Sequence, residues 1–262
     1  MRSLDVIHEY AGSLEKLLRL KTLPLALKLI EKEEEIPEGA KRPRRDYGYR
    51  FLTCQGFSES RRAEASIAQK KDDMWCFEAA MGYGFIEPIE YFLEGNTFFP
   101  QAVVTSEAGK IWAQAFPRLE YGTYTAIVSA PLAKANFEPD LLMIYCDSLQ
   151  LTQLLKARTW IDGHDITCRM SGHGACVHAV VPVIQGRECQ VTFPCFGDRR
   201  RAFAQDDEII FSAPIEKAEA LIAGLTALKK HGQGLPLVPH VPREPEMLPS
   251  YMKIARMTGM HE

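Results

Sequence analysis

Six consecutive apolar residues, Leu141-Leu142-Met143-Ile144-Tyr145-Cys146, constrain this chain most. A run this short cannot cross a bilayer, which takes about 18 unbroken apolar residues. It contains no polar position, so it offers no face to water and reads as a buried strand. Residues 148–157 follow at helical spacing, with Ser148 as a candidate N-cap. The pair forms a strand–turn–helix unit and points to an α/β chain.

The rest of the pattern extends this reading. Leu4, Ile7, Leu14, Leu17 and Leu18 recur at helical spacing, so the first twenty residues are expected to be an amphipathic helix. Leu23, Leu25, Leu27 and Leu29 alternate as a strand does, with Pro24 at its start and Lys28 on the other face. The charged run 31–35 and Pro37 end that element, and Lys41, Arg42, Arg44 and Arg45 read as an exposed loop. Helices are expected over 58–69, 74–81, 102–116 and 215–230, while 175–183 is an apolar run, sized for a strand or a short helix, after the small-residue loop 171–174. Strands are expected over 123–130, 190–193 and 208–212. Pro214 near the first turn and Gly232 beyond the end frame the 215–230 helix.

The fold class is therefore α/β, with mixed α+β as the alternative. Residues 1–234 make one compact domain, built as a single body or as two lobes. Residues 235–262 form a proline-rich C-terminal arm containing Pro236, Pro239, Pro242, Pro245 and Pro249, which argues against a regular element. The arm's Leu237, Val238, Val241, Met247 and Leu248 suggest packing on this domain or on a neighbouring subunit, and so a homodimer.

Composition excludes some classes of function. Thirty-one Lys and Arg face 34 Asp and Glu, a net charge of −3. A dedicated nucleic-acid binder would show a basic excess. The run 177–184 is also too short for a membrane span. Asp5 and Glu9 interrupt the N-terminal apolar positions, so a secretory signal is not expected and a cytoplasmic location is. No GxGxxG, P-loop, GxSxG or HExxH pattern occurs.

Seven cysteines are present, an odd number in a long chain, so a disulfide framework is not expected. Four of them, Cys54, Cys76, Cys176 and Cys195, sit where a loop meets a regular element. Backbone N–H groups and the dipole at a helix start favour thiolates, the form that ligates metals and attacks electrophiles. Cys54 and Cys76 lie 22 positions apart and Cys176 and Cys195 lie 19 apart. Such scattered ligands suit a cluster gripped by several loops, not a zinc ribbon with its close pairs. Buried packing cysteines and a metal-free catalytic thiol are the competing readings. Cys146 reads as a small buried hydrophobe, and Cys168 and Cys189 carry no assigned role.

Neighbouring residues complete the candidate site. Gln55, Gly174 and Gly197 adjoin three of the thiols and are the expected cofactor contacts. His173, Arg199 and Lys28 are candidates for proton transfer and for pairing with an anionic substrate. Asp198 is placed to orient an arginine. The aromatics Trp75, Phe77, Tyr83, Phe85, Tyr91, Phe92, Phe98 and Phe99 are best explained by packing.

The order Pro24-Leu25-Ala26-Leu27-Lys28, Cys54, Cys76, Pro131-Leu132, Glu138-Pro139-Asp140, Gln150, Cys176, then Cys195 with Gly197 and Arg199, resembles the DUF169 family of bacteria and archaea. The similarity runs from about residue 20 to residue 230. It implies a cysteine-bearing cytoplasmic protein common in anaerobes. The chain departs from the family pattern where Phe77, Glu78 and Ala79 follow Cys76 in place of a glycine-rich stretch, which makes Cys76 the least secure of the four. The resulting expectation is a [4Fe-4S] protein ligated by Cys54, Cys76, Cys176 and Cys195. It would carry out redox or Lewis-acid chemistry on a small molecule, or exchange electrons with a redox partner protein. A zinc-binding or redox-sensing protein and a metal-free cysteine enzyme are the alternatives.

Overall fold

The computed structural model describes residues 3–235 and 247–260. Helix α1 spans Leu4–Leu18 and begins where the Ser3 hydroxyl accepts from the Val6 N–H at 3.4 Å. Strand β1 (Leu25–Ile30) leads through a long connection to α2 (Thr53–Ala63), β2 (Ile67–Lys70) and α3 (Phe77–Gly82). Helices α4 (Glu90–Leu93) and α5 (Ser106–Ala115) precede β3 (Ala126–Pro131) and β4 (Leu141–Cys146). The chain continues through α6 (Ser148–Asp162), α7 (Ala175–Gly186), β5 (Gln190–Thr192) and α8 (Phe196–Arg201). Strand β6 (Ile209–Pro214), α9 (Ala218–Lys230) and α10 (Pro249–Met257) follow.

The strands form one six-stranded sheet in the order β2-β3-β1-β4-β6-β5, with every pairing antiparallel. Leu27 registers with Ser129 on one side and Leu141 on the other. Helices cover both faces. Leu14, Leu18, Leu154, Ala157, Leu221 and Leu225 from α1, α6 and α9 pack with Ala26, Val128, Leu142 and Ala213. Ala79, Met81, Ala113, Val177 and Val180 from α3, α5 and α7 pack with Leu25, Leu27, Met143 and Tyr145. Each buried Leu, Val or Met among these contributes roughly 1.5–3 kcal/mol. Antiparallel sheets commonly leave one face to water and so alternate in polarity. Here both faces are covered, and every residue of β4 is buried.

The mixed α/β architecture agrees with the pattern of apolar runs. Several boundaries differ for physical reasons. Glu64 adopts a left-handed conformation (φ 58°) and closes α2, so 67–70 is a strand paired to β3 instead of the end of a helix. The basic stretch after Lys41 is anchored, not free: Arg42 Nε meets the buried Asp73 carboxylate at 2.6 Å. Lys41 itself bridges to Ile67. Most of the proline-rich arm lies at 236–246, outside the described residues. Within the arm, 249–257 is helical, because Pro249 stands in the first turn where no N–H is needed. Met247 and Leu248 are exposed, and α10 buries none of its residues.

The α6–α9 crossing is close because of Gly224, where an added Cβ would stand 2.7 Å from the Ala157 carbonyl oxygen. Gly12, on the exposed side of α1, has nothing within 4 Å of its would-be Cβ. Gly224→Ala is therefore expected to destabilise by about 1–3 kcal/mol. Gly12→Ala is expected to stabilise by about 0.4–1 kcal/mol. Urea unfolding of the two variants checks the pair, and a neutral Gly224→Ala would contradict the close crossing.

Candidate metal centre

Four helices begin at one place on the α3/α7 side of the sheet. The segments entering α2 and α3 run side by side: Phe51 N–H donates to the Asp73 carbonyl and Trp75 N–H to the Phe51 carbonyl, both at 2.8 Å. This parallel bridge brings Cys54, in the first turn of α2, beside Cys76, the N-cap of α3. Helix α3 is in turn locked to α7. A Cβ on Gly82 would stand 2.5 Å from Val177, and the Tyr83 hydroxyl donates to the Cys176 carbonyl at 3.1 Å. Cys176 lies in the first turn of α7, after Gly174 in a left-handed conformation (φ 60°). A Cβ on Gly174 would clash with the Phe116 ring at 2.7 Å, so glycine is required there for two reasons. Cys195 is the N-cap of α8. The backbone N–H groups of Asp198 and Ala175 are directed at its sulfur, short of a full side-chain cap, and couple α8 to α7.

The four thiols consequently lie within electrostatic reach of one another. Cys176 hydrogen-bonds with Cys76 and senses the charges of Cys76, Cys195 and Cys54. Cys54 senses Asp198, Cys195 and Cys76. None of the four is in a disulfide. Cys54 and Cys176 are buried, whereas Cys76 and Cys195 are partly exposed, so the centre opens on the side of the latter two.

The electrostatics depart from the expectation of lowered thiol pKa values. The hydrogen bond with Cys76, followed by burial, pushes the Cys176 thiol well up. Burial pushes Cys54 well up and Cys195 up. Desolvation outweighs the backbone N–H groups at the helix starts, so these thiols are neutral when nothing binds them. Among the described residues, no group of three or more His, Cys, Asp and Glu side chains is disposed to hold a metal ion. The donor chemistry itself suits a soft centre: four free thiols, three of them packed within the apolar cluster of the α3/α7 face.

Two carboxyls adjoin the thiols. Asp198 is buried, accepts from the Tyr145 hydroxyl at 3.1 Å, and is pushed up to about 6 by burial. It does not orient an arginine. Glu78 is pushed up to about 7 by burial alone, and its charge reaches Cys195. Behind Asp198 stands a fully buried pair: Arg61 Nη1 and Nη2 meet Glu208 at 2.6 and 3.0 Å. The Arg61 guanidinium also lies 3.7 Å from the Tyr145 ring centre. Arg61 and Cys54 are seven positions apart on α2, hence on one helix face.

Other candidates fall elsewhere. Lys28 is on the opposite face of the sheet, with Ala26 and Ile30, and donates to the Glu138 carbonyl at 3.1 Å. Arg199 holds the 205–206 turn, donating to the Gln205 carbonyl at 2.7 Å and pairing with Asp206. Gln55 caps α2 by accepting from the Leu52 N–H at 2.8 Å. His173 packs against Phe98 and Trp112, with ring centres 5.4 and 5.7 Å away. His178 is buried against Phe116 with neither ring nitrogen bonded, and burial lowers it to about 4. Gly197 does adjoin the centre: its would-be Cβ stands 3.8 Å from Cys195 Sγ. Tyr145, Arg61 and Glu208 were not singled out from sequence. Arg61 and Glu208 are 147 positions apart, and a tyrosine inside an apolar run was the one local signal.

The DUF169 family profile, described as uncharacterised ArCR, matches residues 13–224. The chain belongs to the DUF169 family. It is 27% identical over 222 residues to an uncharacterised protein of Methanocaldococcus jannaschii, covering 84% of this chain and 93% of that one. No solved structure matches the chain. Among the described residues of this family member, no helix is long and apolar enough to cross a membrane.

Two measurements check this geometry. Glu208→Gln leaves the buried Arg61 charge unpaired and is expected to cost about 3–5 kcal/mol in urea unfolding. The paired change Arg61→Met with Glu208→Leu should recover most of that loss. Burial also raises Cys146 to about 12 and Cys189 to about 11. Brief iodoacetamide treatment at pH 7.5 should leave both unmodified in peptide maps. Labelling at the rate of a free thiol would contradict their burial.

Proposed function

We propose that Cys54, Cys76, Cys176 and Cys195 ligate a [4Fe-4S] cluster and that the protein uses it for redox or Lewis-acid chemistry on a small molecule. The observation that carries this reading is that four free thiols, scattered along the chain, lie at the starts of four helices within electrostatic reach of one another. Packing cysteines have no reason to gather at the starts of four different helices. Zinc is disfavoured by the absence of closely spaced ligand pairs in the sequence. Once bound, a cluster would supply one-electron transfer, or an iron site for substrate if one thiol gives way.

The surrounding side chains have defined parts in this scheme. Glu78, pushed up to about 7, is poised near half-protonation at neutral pH and is able to hold or release a proton beside the thiols, whereas Asp198, at about 6 and held by Tyr145, is mostly ionised there. Substrate would approach from the side of Cys76 and Cys195, the partly exposed pair.

One observation favours a second reading. Cys76 is the group that raises the Cys176 thiol most, which makes the two neighbours a candidate dithiol that a disulfide oxidant could convert to a disulfide, as in a metal-free redox sensor. Anaerobic purification with iron and sulfide analysis separates the two. The cluster reading expects a brown protein with about four iron and four sulfide per chain, reduced by more than half in Cys54→Ala or Cys176→Ala. A colourless anaerobic protein that loses two mass units on mild oxidation, with a Cys76–Cys176 peptide, would establish the sensor instead.

A further inference from the structure

The two partly exposed thiols have a surface setting that the buried two lack. Trp75 precedes Cys76 and is 65% exposed; Phe196 follows Cys195 and is 72% exposed. Each ring carries an arginine. Arg50 Cζ lies 4.9 Å from the Trp75 ring centre, and Arg200 Cζ lies 5.6 Å from that of Phe196. Leu52 joins the two pairs, since its Cδ1 is 3.5 Å from the would-be Cβ of Gly197. Two arginine–aromatic pairs therefore flank one mouth, and exposed Phe77 stands on the far side of Cys76.

This rim is cationic in a chain whose net charge is −3. Among the described residues, Arg50, Arg200 and Arg201 form no ion pair. Of the acids in the same segments, Asp206 pairs with Arg199, Asp73 with Arg42, and Asp198 accepts from Tyr145, while the exposed Asp72, whose carbonyl accepts from Arg50 Nε at 3.1 Å, forms no ion pair among the described residues. Tryptophan and arginine are the residue types that dominate protein–protein binding energy. Exposed rings grouped around one opening are uncommon on a surface that meets only water.

We propose that this aromatic–arginine rim docks an acidic electron-carrier protein. Its carboxylates would pair with Arg50, Arg200 and Arg201, and its apolar surface would cover Trp75, Phe77 and Phe196. The inference rests on the reading of the four thiols as cluster ligands. The exchange is a single electron: the reduced carrier loses one, the cluster gains one, and no bond forms or breaks. Cys76 and Cys195 are the sulfurs nearest the docked carrier, so the path crosses the partly exposed side.

The test mixes anaerobic holoprotein with photoreduced plant-type [2Fe-2S] ferredoxin, an acidic carrier, and follows cluster bleaching by stopped flow. The double variant Arg50→Glu/Arg200→Glu is expected to slow this reduction at least about tenfold, and 0.5 M salt to slow the unaltered protein similarly. Bleaching by dithionite should change little. Equal ferredoxin rates in variant and unaltered protein overturn the proposal. If dithionite bleaches nothing, the cluster reading has failed, and docking is judged by calorimetry on the cluster-free protein. There the dissociation constant for oxidised ferredoxin should weaken at least about tenfold in the double variant. No difference, or tighter binding of a single-stranded thymidine oligonucleotide than of ferredoxin, overturns the carrier as occupant.

Discussion

Desolvation decides the chemistry at the meeting point of the four helices. It holds Cys54 and Cys195 above the usual thiol range, adds to the hydrogen bond that raises Cys176, and moves Asp198 to about 6 and Glu78 to about 7. The opposing influence is real but smaller. A helix start is worth about 0.3–1 kcal/mol to an exposed anion and up to about 2 in a partly buried setting. Moving a carboxyl from its ordinary range to about 6 corresponds to roughly 3 kcal/mol. The raised thiols of Cys54, Cys176 and Cys195 are thus neutral at physiological pH, and under the proposed reading it is the bound cluster that makes thiolates tolerable there.

That arrangement depends on contacts between distant parts of the chain. The Phe51–Met74 bridge sets the spacing of Cys54 and Cys76. Gly82 against Val177 and Tyr83 on the Cys176 carbonyl set α3 against α7. Arg61 then ties the rear of the site together, since one guanidinium serves Glu208, Thr22 and the face of Tyr145. A buried ion pair of this kind adds little net stability compared with apolar packing, yet losing one partner is severe. Its effect is to fix where Tyr145 and Asp198 stand relative to Cys54.

The elements legible in sequence were those with a local signature. The apolar run of β4 and the helix after it appear where their periodicities put them, as do α1 and α9, whereas the apolar run at 175–183 had no period to decide between strand and helix and is α7. Strand β2 was hidden because an Ala/Glu/Arg-rich helix precedes it and only the left-handed Glu64 separates them. The four cysteines do stand at helix starts, as their loop contexts indicated. Lys28 and Arg199 were not correctly readable, because the direction of a long charged side chain depends on its neighbours: the Glu138 carbonyl for one, the 205–206 turn for the other. The aromatics divide in the same way. Tyr83, Phe85 and Phe92 are core, while Trp75, Phe77, Tyr91 and Phe99 face outward.

The four thiols are not equivalent, and the asymmetry has a direction. Cys54 and Cys176 are buried within the first turns of α2 and α7, the two longer helices of the site. Cys195 is partly exposed but has the Asp198 and Ala175 N–H groups aimed at its sulfur. Cys76 caps a helix of only six residues without a side-chain cap hydrogen bond, and it is partly exposed. It is also where the sequence leaves the family pattern, with Phe77 and Glu78 following it. A ligand that gives way to substrate would belong at the position held by the fewest interactions. Under the proposed reading, Cys76 is the ligand best placed to give way.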